Sequence, residues 1–283
     1  MQVDSRLSAP NATLLAGVLR ANTTVQALSL DGVLETAPNS LKGVPVNVPV
    51  NRCEESTEGK PLLDLAPPDS ISLAERGLSS AVGIVLARLV ELNTALTALD
   101  VRKNSFGVRC AAAFARCLER DCSALRTLHL SANPLCGVRH ECGSYDPSGM
   151  LALATALTLN TTLRTLNLAS TRLGLVGYQP LLACLRSGPS SLTKLTSLGL
   201  SSNGLGCKGG VALATALEGN TSLRRLDLAS NAIGAEGGAC LAKLLELSTA
   251  LTRLDLRSND LRACIGAFQL ALEVRGAEAE LRL

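Results

Sequence analysis

Aromatic residues are nearly missing from this chain: no Trp, two Tyr and three Phe, 2% of 283 residues. Globular cores of that size ordinarily fill irregular space with large rings. An interior left to Leu and Ala points instead to one aliphatic shape repeated many times. The same shortage weighs against a single-stranded nucleic-acid platform, which needs rings for bases to stack on. No Lys/Arg run is long enough to form a nucleic-acid arm, and the net charge is only +3. No apolar run approaches the roughly 18 residues that would suggest a membrane span. Neither nucleic acid nor a membrane is therefore an expected partner. The opening stretch "MQVDSRLSAPNATLLAGVLRANTT" lacks a charged segment followed by a clean apolar one, so no signal peptide is read there.

Cysteine, by contrast, is plentiful. Cys53, Cys110, Cys117, Cys122, Cys136, Cys142, Cys184, Cys207, Cys240 and Cys264 are spread singly through apolar stretches rather than set in a short framework. Thiols placed so behave as small hydrophobes, which suits a reducing compartment and leads to a cytoplasmic or nuclear location. Four N-x-[ST] sequons occur, at Asn11, Asn22, Asn160 and Asn220. Three of them fall in a recurring "NTT" or "NTS" junction and read as turn chemistry rather than as glycan sites.

The dominant feature is a repeat, L-x-x-L-x-L-x-x-N-x-L. It appears as "LTALDVRKNSF" from Leu96, "LRTLHLSANPL" from Leu125 and "LRTLNLASTRL" from Leu163. Three further copies are "LTSLGLSSNGL" from Leu195, "LRRLDLASNAI" from Leu223 and "LTRLDLRSNDL" from Leu251. Weaker copies surround Leu28 and Ile71, and "ELRL" places Leu281 as a last anchor. Leu-x-Leu is a period-2 alternation, so both leucines face one side of a short strand. The Asn sits where the chain turns away, and its amide can serve backbone groups of adjacent coils that would otherwise lack partners. Stacking then predicts an Asn ladder of Asn104, Asn133, Asn203, Asn231 and Asn259, interrupted where Val33, Arg76 and Thr171 stand instead. The following G-x-x-G-G segment permits close approach into a helix, and "ACLAKLLELSTA" carries apolar residues at helical spacing.

One coil cannot bury its own apolar face, so several must stack. Strands lie about 4.8 Å apart and helices about 8–10 Å apart, so the stack must curve with the strands inside. The predicted fold is an α/β right-handed solenoid of about eight coils, a horseshoe with a parallel sheet on its concave face. Residues 1–283 form one such domain, with insertions at about 34–68 and 136–147. The first is too proline-rich for a helix and reads as a partly extended loop.

On these motifs the chain resembles the ribonuclease-inhibitor-like class of leucine-rich repeats. It is similar to the repeat regions of NACHT-type immune sensors and to Ran GTPase-activating proteins. The resemblance is specific for fold and not for function; with no convergent catalytic set in the sequence, the leading expectation is a non-enzymatic scaffold that binds a protein partner through the concave face and its rims. Two alternatives follow from the same relatives: regulation of a small GTPase, or the repeat region of a larger sensor. The chain opens inside what reads as a coil's helix and closes on a strand without polar caps. Solenoid logic then expects an oligomer or a larger parent chain.

Side chains alternating with the leucines face outward on the concave side. They name Asp100, Arg102, His129, Asn167, Arg225, Asp227, Arg253, Asp255 and Arg257 as candidate contact residues. The plain counter-reading is that the Arg and Asp residues neutralise one another across strands. His129 falls beside Asp100 and Asn167, but no nucleophile or glycine elbow accompanies it, so no catalytic residue is assigned. Cys136, His140 and Cys142, with Cys122 nearby, offer three soft ligands in one loop, yet zinc wants four. No metal and no cofactor are expected. "SNGLGCKGG" looks superficially like a phosphate loop, but "SNAIGAEGG" in the next copy shows it to be the repeat's own turn. Tyr145 and Tyr178 read as exposed, Tyr178 beside a helix start at Pro180; each is a candidate rim contact, and simple packing is the plainer reading of both.

Overall fold

The computed structural model describes residues 27–29, 47–49, 70–92, 96–119, 124–138, 144–186, 194–276 and 279–283. Its framework is a parallel sheet of eight three-residue strands in sequence order. These are β3 (Ser70–Ser72), β4 (Ala98–Asp100), β5 (Thr127–His129), β6 (Thr165–Asn167), β7 (Ser197–Gly199), β8 (Arg225–Asp227), β9 (Arg253–Asp255) and β10 (Glu280–Arg282). The register sets each anchor beside the next, Leu198 against Leu226 and Leu226 against Leu254. The central leucine of β4 through β9 is buried while its neighbours are half-buried or exposed. That is the alternation a half-buried strand requires.

Helices connect the strands: α1 (Ser80–Leu92), α2 (Val108–Glu119), α3 (Ser148–Leu159), α4 (Gly174–Leu185), α5 (Gly206–Leu217), α6 (Gly234–Leu247) and α7 (Ile265–Arg275). Each packs on the next, and their apolar stripes close one continuous core with the strand leucines. The first glycine of the G-x-x-G-G turn opens the helix at positive φ, +70° at Gly206 and +66° at Gly234. The later ones set the helix spacing. A Cβ at Gly210 would lie 2.8 Å from Ile233 Cγ2 and 3.2 Å from Gly237 Cα, so α5 and α6 approach as closely as they do because neither carries a side chain there.

The ladder runs through the turns after the strands. Asn231, fully buried, accepts at Oδ1 from the backbone N–H groups of Asn203 (3.1 Å) and Leu205 (3.3 Å) in the coil before it. Its Nδ2 donates to Leu200 O (3.0 Å) and Leu228 O (2.9 Å). Asn104, Asn133, Asn203 and Asn259 repeat this pattern. Thr171 keeps only part of it: its hydroxyl donates to Leu168 O at 2.7 Å, but it has no amide to pass back to Asn133. The residue before each Asn is left-handed although none is glycine, with φ between 53° and 59° at Lys103, Ala132, Ser202, Ser230 and Ser258. The ladder bonds on both sides hold that conformation in place.

The "NTT" and "NTS" junctions are turns. Asn160 accepts from Leu163 N–H (2.7 Å) and donates to Leu118 O (2.8 Å) while buried; Asn220 accepts from Leu223 N–H at 2.8 Å. Ser248 takes the same place before Leu251. Asn11 and Asn22 lie outside the described residues.

Three expectations need correction. The coil around Leu28 does not join the solenoid sheet: β1 (Ala27–Ser29) pairs antiparallel with β2 (Asn47–Pro49) in a sheet of two strands. A parallel neighbour requires a crossover that packs on the sheet, whereas this pair is antiparallel. The eighth strand of the main sheet is instead β10, around Leu281. Second, Pro180 lies in the second turn of α4 rather than at its start. Third, Tyr178 is fully buried. It occupies the site of a second glycine, and its hydroxyl reaches Leu200 O at 3.3 Å. Most of segment 34–68 lies outside the described residues.

Candidate partner-binding face

The inner face of the sheet presents two rows of side chains, one on each side of the buried leucines. The register aligns Thr127, Thr165, Ser197, Arg225, Arg253 and Glu280 in the first row. The second row holds Asp100, His129, Asn167, Gly199, Asp227, Asp255 and Arg282. Hydroxyls therefore give way to arginines along one row while carboxylates gather along the other. A concavity of about 350 Å³ lies over this ground, reaching from His129 through Gly199 to Asp255 and Arg282.

Part of the charge is used within the chain. The Asp100, Asn167, Asp227 and Asp255 side chains each accept, at Oδ1, the backbone N–H two residues on, at 3.0–3.2 Å. These residues thus close the strand end as well as facing outward, a role that the alternation pattern alone did not suggest. Arg257 also grips Asp255 in a fork, Nη2 to Oδ2 at 2.7 Å. That hydrogen bond holds the Asp255 carboxyl below the ordinary Asp range. Arg102 approaches Asp100 at 3.2 Å. Glu280 receives Arg282 at 2.8 Å and Arg253 at 2.5 Å, and its pKa falls with the Arg282 hydrogen bond as the first cause. Neutralisation is therefore real, but it runs mainly within a strand, between residues i and i+2, rather than between strands.

Coil β8 is different. Ala229 stands where Arg102 and Arg257 stand in their coils, so Asp227 has no guanidinium two residues on. Arg225 is exposed and, among the described residues, makes no ion pair; its neighbour in the row is Arg253. Asp227 likewise lies beside Asp255. Two like-charge contacts thus sit side by side on adjacent strands, an arrangement that costs stability rather than adding to it.

His129 lies between Asp100 and Asn167 in register. Of the loop cysteine and histidine ligands considered for zinc, only Cys136 is among the described residues, and it is buried, with burial pushing its thiol pKa up. Among the described residues no group of three or more His, Cys, Asp and Glu is placed to hold a metal ion. The described cysteines are thiols. Tyr145 is partly exposed, packs against Gly177 and donates its hydroxyl to Leu173 O, which ties the second insertion to the next coil. Among the described residues no helix is long and apolar enough to cross a membrane.

The repeat unit is independently recognisable. Residues 159–182, 191–214 and 219–242 match the family described as Leucine Rich repeat. With eight strands in one parallel sheet and helices between them, the chain has the solenoid fold of leucine-rich repeats, and these three segments carry that repeat. No curated protein matches it. Among solved structures, the tropomodulin C-terminal domain of Caenorhabditis elegans is similar at 17% identity and a TM-score of 0.46, covering 58% of this chain and 92% of that one. Leiomodin-1 actin-binding site 2 is similar at 15% identity and a TM-score of 0.29, covering 73% of this chain and 79% of that one.

Proposed function

We propose that the chain is a non-enzymatic interaction scaffold that binds a protein partner on the concave face, centred on Arg225 and Asp227. Residues 1–283 act as one unit in this reading, with 34–68 and 136–147 as insertions. The supporting observation is the incomplete pairing of coil β8, where an exposed Arg and an adjacent Asp face inward beside like charges. An exposed ion pair adds about 0–1 kcal/mol to stability, so leaving these two unpaired is tolerable for the fold. A guanidinium desolvated against a partner carboxylate is worth more, about 2 kcal/mol at a binding hot spot. Arg225 is the principal anchor and Asp227 faces a basic group of the partner, while Arg253, Asp255 and Arg257 border them with charges already paired within the chain. Asp100, Arg102, His129 and Asn167 extend the contact toward the other end.

The test is affinity capture from source lysate with the wild-type chain and Arg225→Glu, with Lys243→Glu on the outer helix as control. Capture of specific partners should fall roughly thirtyfold in affinity for Arg225→Glu and stay unchanged for the control. Equal recovery with all three chains removes the concave face from consideration.

A further inference from the structure

β7, in the middle of the concave face, carries the smallest side chains there. In the register row Asp100, His129, Asn167, Gly199, Asp227 and Asp255, only Gly199 has no side chain. Its companion on the inner face of β7 is Ser197. Glycine weakens a strand interior, and it often marks a place where a ligand or another backbone comes close. Here it leaves a trough over β7 within the concavity of about 350 Å³, walled by Thr165 and Asn167 on β6 and by Arg225 and Asp227 on β8. With neighbouring strands about 4.8 Å apart, those walls stand about 10 Å from each other, which is room for one extended chain. The Thr165 and Ser197 hydroxyls and the Asn167 Nδ2 make no hydrogen bond among the described residues, so the trough offers free polar groups to a visiting backbone.

Charge is ordered along the trough. At the start of β8, Arg224 and Arg225 are exposed, and neither makes an ion pair among the described residues. At its end stands Asp227, with Asp255 beside it. Arg225 and Asp227 are two residues apart on one strand, about 7 Å. An extended segment sets its own residues i and i+2 on one side at that same spacing. A helix, about 10–12 Å across with its side chains, overfills the trough. The opposite charges therefore fit a segment that carries an acidic and a basic side chain separated by one residue.

Building on the concave-face reading above, we infer that the partner presents an extended peptide segment that crosses β7 over Ser197 and Gly199, with a carboxylate against Arg225 and a basic side chain two residues away against Asp227. The experiment titrates the full chain, labelled with nitrogen-15, with short capped peptides while its amide resonances are followed. A Glu-Ala-Lys peptide flanked by Gly and Ser should give saturable shifts centred on Gly199 and Asp227. A peptide with Glu and Lys adjacent, which places them on opposite faces of an extended chain, should need about tenfold more for the same shift. Gly199→Val fills the trough: its Cβ would lie 2.8 Å from Asn167 Oδ1, so the Asn167 side chain must swing aside. Ser197→Leu fills it from the neighbouring position, which faces the trough rather than the core. Each should weaken binding of the Glu-Ala-Lys peptide at least about tenfold, and circular dichroism melting checks that both chains are folded. Absence of saturable shifts, equal binding of the two peptides, or indifference to both filling variants overturns the proposal. Capture from lysate separates it from the reading it builds on. Loss with Arg225→Glu but not with Gly199→Val or Ser197→Leu removes the trough and keeps the concave face, whereas no loss with any of the three removes the concave face itself.

Discussion

Asn231 fills a buried place where two N–H groups of one coil and two carbonyls of its surroundings would otherwise lack partners. Replacing it by Ala strands those groups away from water, at about 1–3 kcal/mol for each one left unpaired. Asn231→Ala should therefore lower unfolding free energy by about 2–4 kcal/mol in urea titration, against about 0.5 kcal/mol or less for Lys243→Ala on the exposed helix face. A loss for Asn231→Ala no larger than for Lys243→Ala would show that the ladder is not what ties the coils together. The ladder residues were readable because one amide recurs at one place in the repeat. The second role of Asp227 was not, since its bond to Ala229 N–H depends on how the chain bends after the strand. The burial of Tyr178 was not readable for a similar reason: its position follows a glycine pattern, while the direction its ring takes is settled by the packing around it.

Each coil is a strand, a turn and a helix, and its weak point is the helix contact. α5 and α6 meet at Gly210 and Gly237, where an added methyl would press on Ile233 and on backbone. Gly210→Ala raises helix propensity by roughly 0.5–1 kcal/mol but forces overpacking that costs typically 1–3 kcal/mol. Net destabilisation is expected, read as a lower thermal midpoint. A higher midpoint would mean that the helices can part without loss. These coils were legible because leucine spacing, glycine turn and helical stripe agree with one another. β1 was not, since a strand-like "ALS" says nothing about which neighbour it pairs with. Leu28 and Ile71 are 43 residues apart, well beyond the 28-residue repeat of the later coils.

For the molecule as a whole, the two tyrosines report folding through their ionisation. Burial pushes the Tyr145 phenol up to about 12, against an ordinary value of 10.0, and burial pushes Tyr178 up further still. Because the folded pKa is the higher one, folding favours the protonated phenol. The corresponding stability is fully present below pH about 10 and declines as pH rises through the folded value. In absorbance titration at the tyrosinate band, the native chain near pH 10.5 should show little ionisation and the urea-unfolded chain should show most of both groups. With no Trp and only two Tyr the signal is uncluttered. Native midpoints near 10 for both groups would contradict the buried placement of Tyr178. The carboxylates act in the opposite sense: the depressed pKa values of Asp255 and Glu280 contribute stability above the ordinary carboxyl range, lost as pH falls through the folded values.

The repeat, the strand-turn-helix unit, the buried leucines, the ladder and the face on which the charges lie are all legible in the residues alone. All of these are periodic, and a period survives in one dimension because the residue types it selects are few. Tertiary structure decided which charges find partners and which do not. Arg257 is committed to Asp255, and Arg253 to Glu280 from a strand 27 residues further on, while Arg225 keeps its charge exposed beside Arg253. It also decided that Leu281 rather than Leu28 supplies the eighth strand. Pairing of this kind depends on register and on which way each backbone group points, and no single coil contains that information.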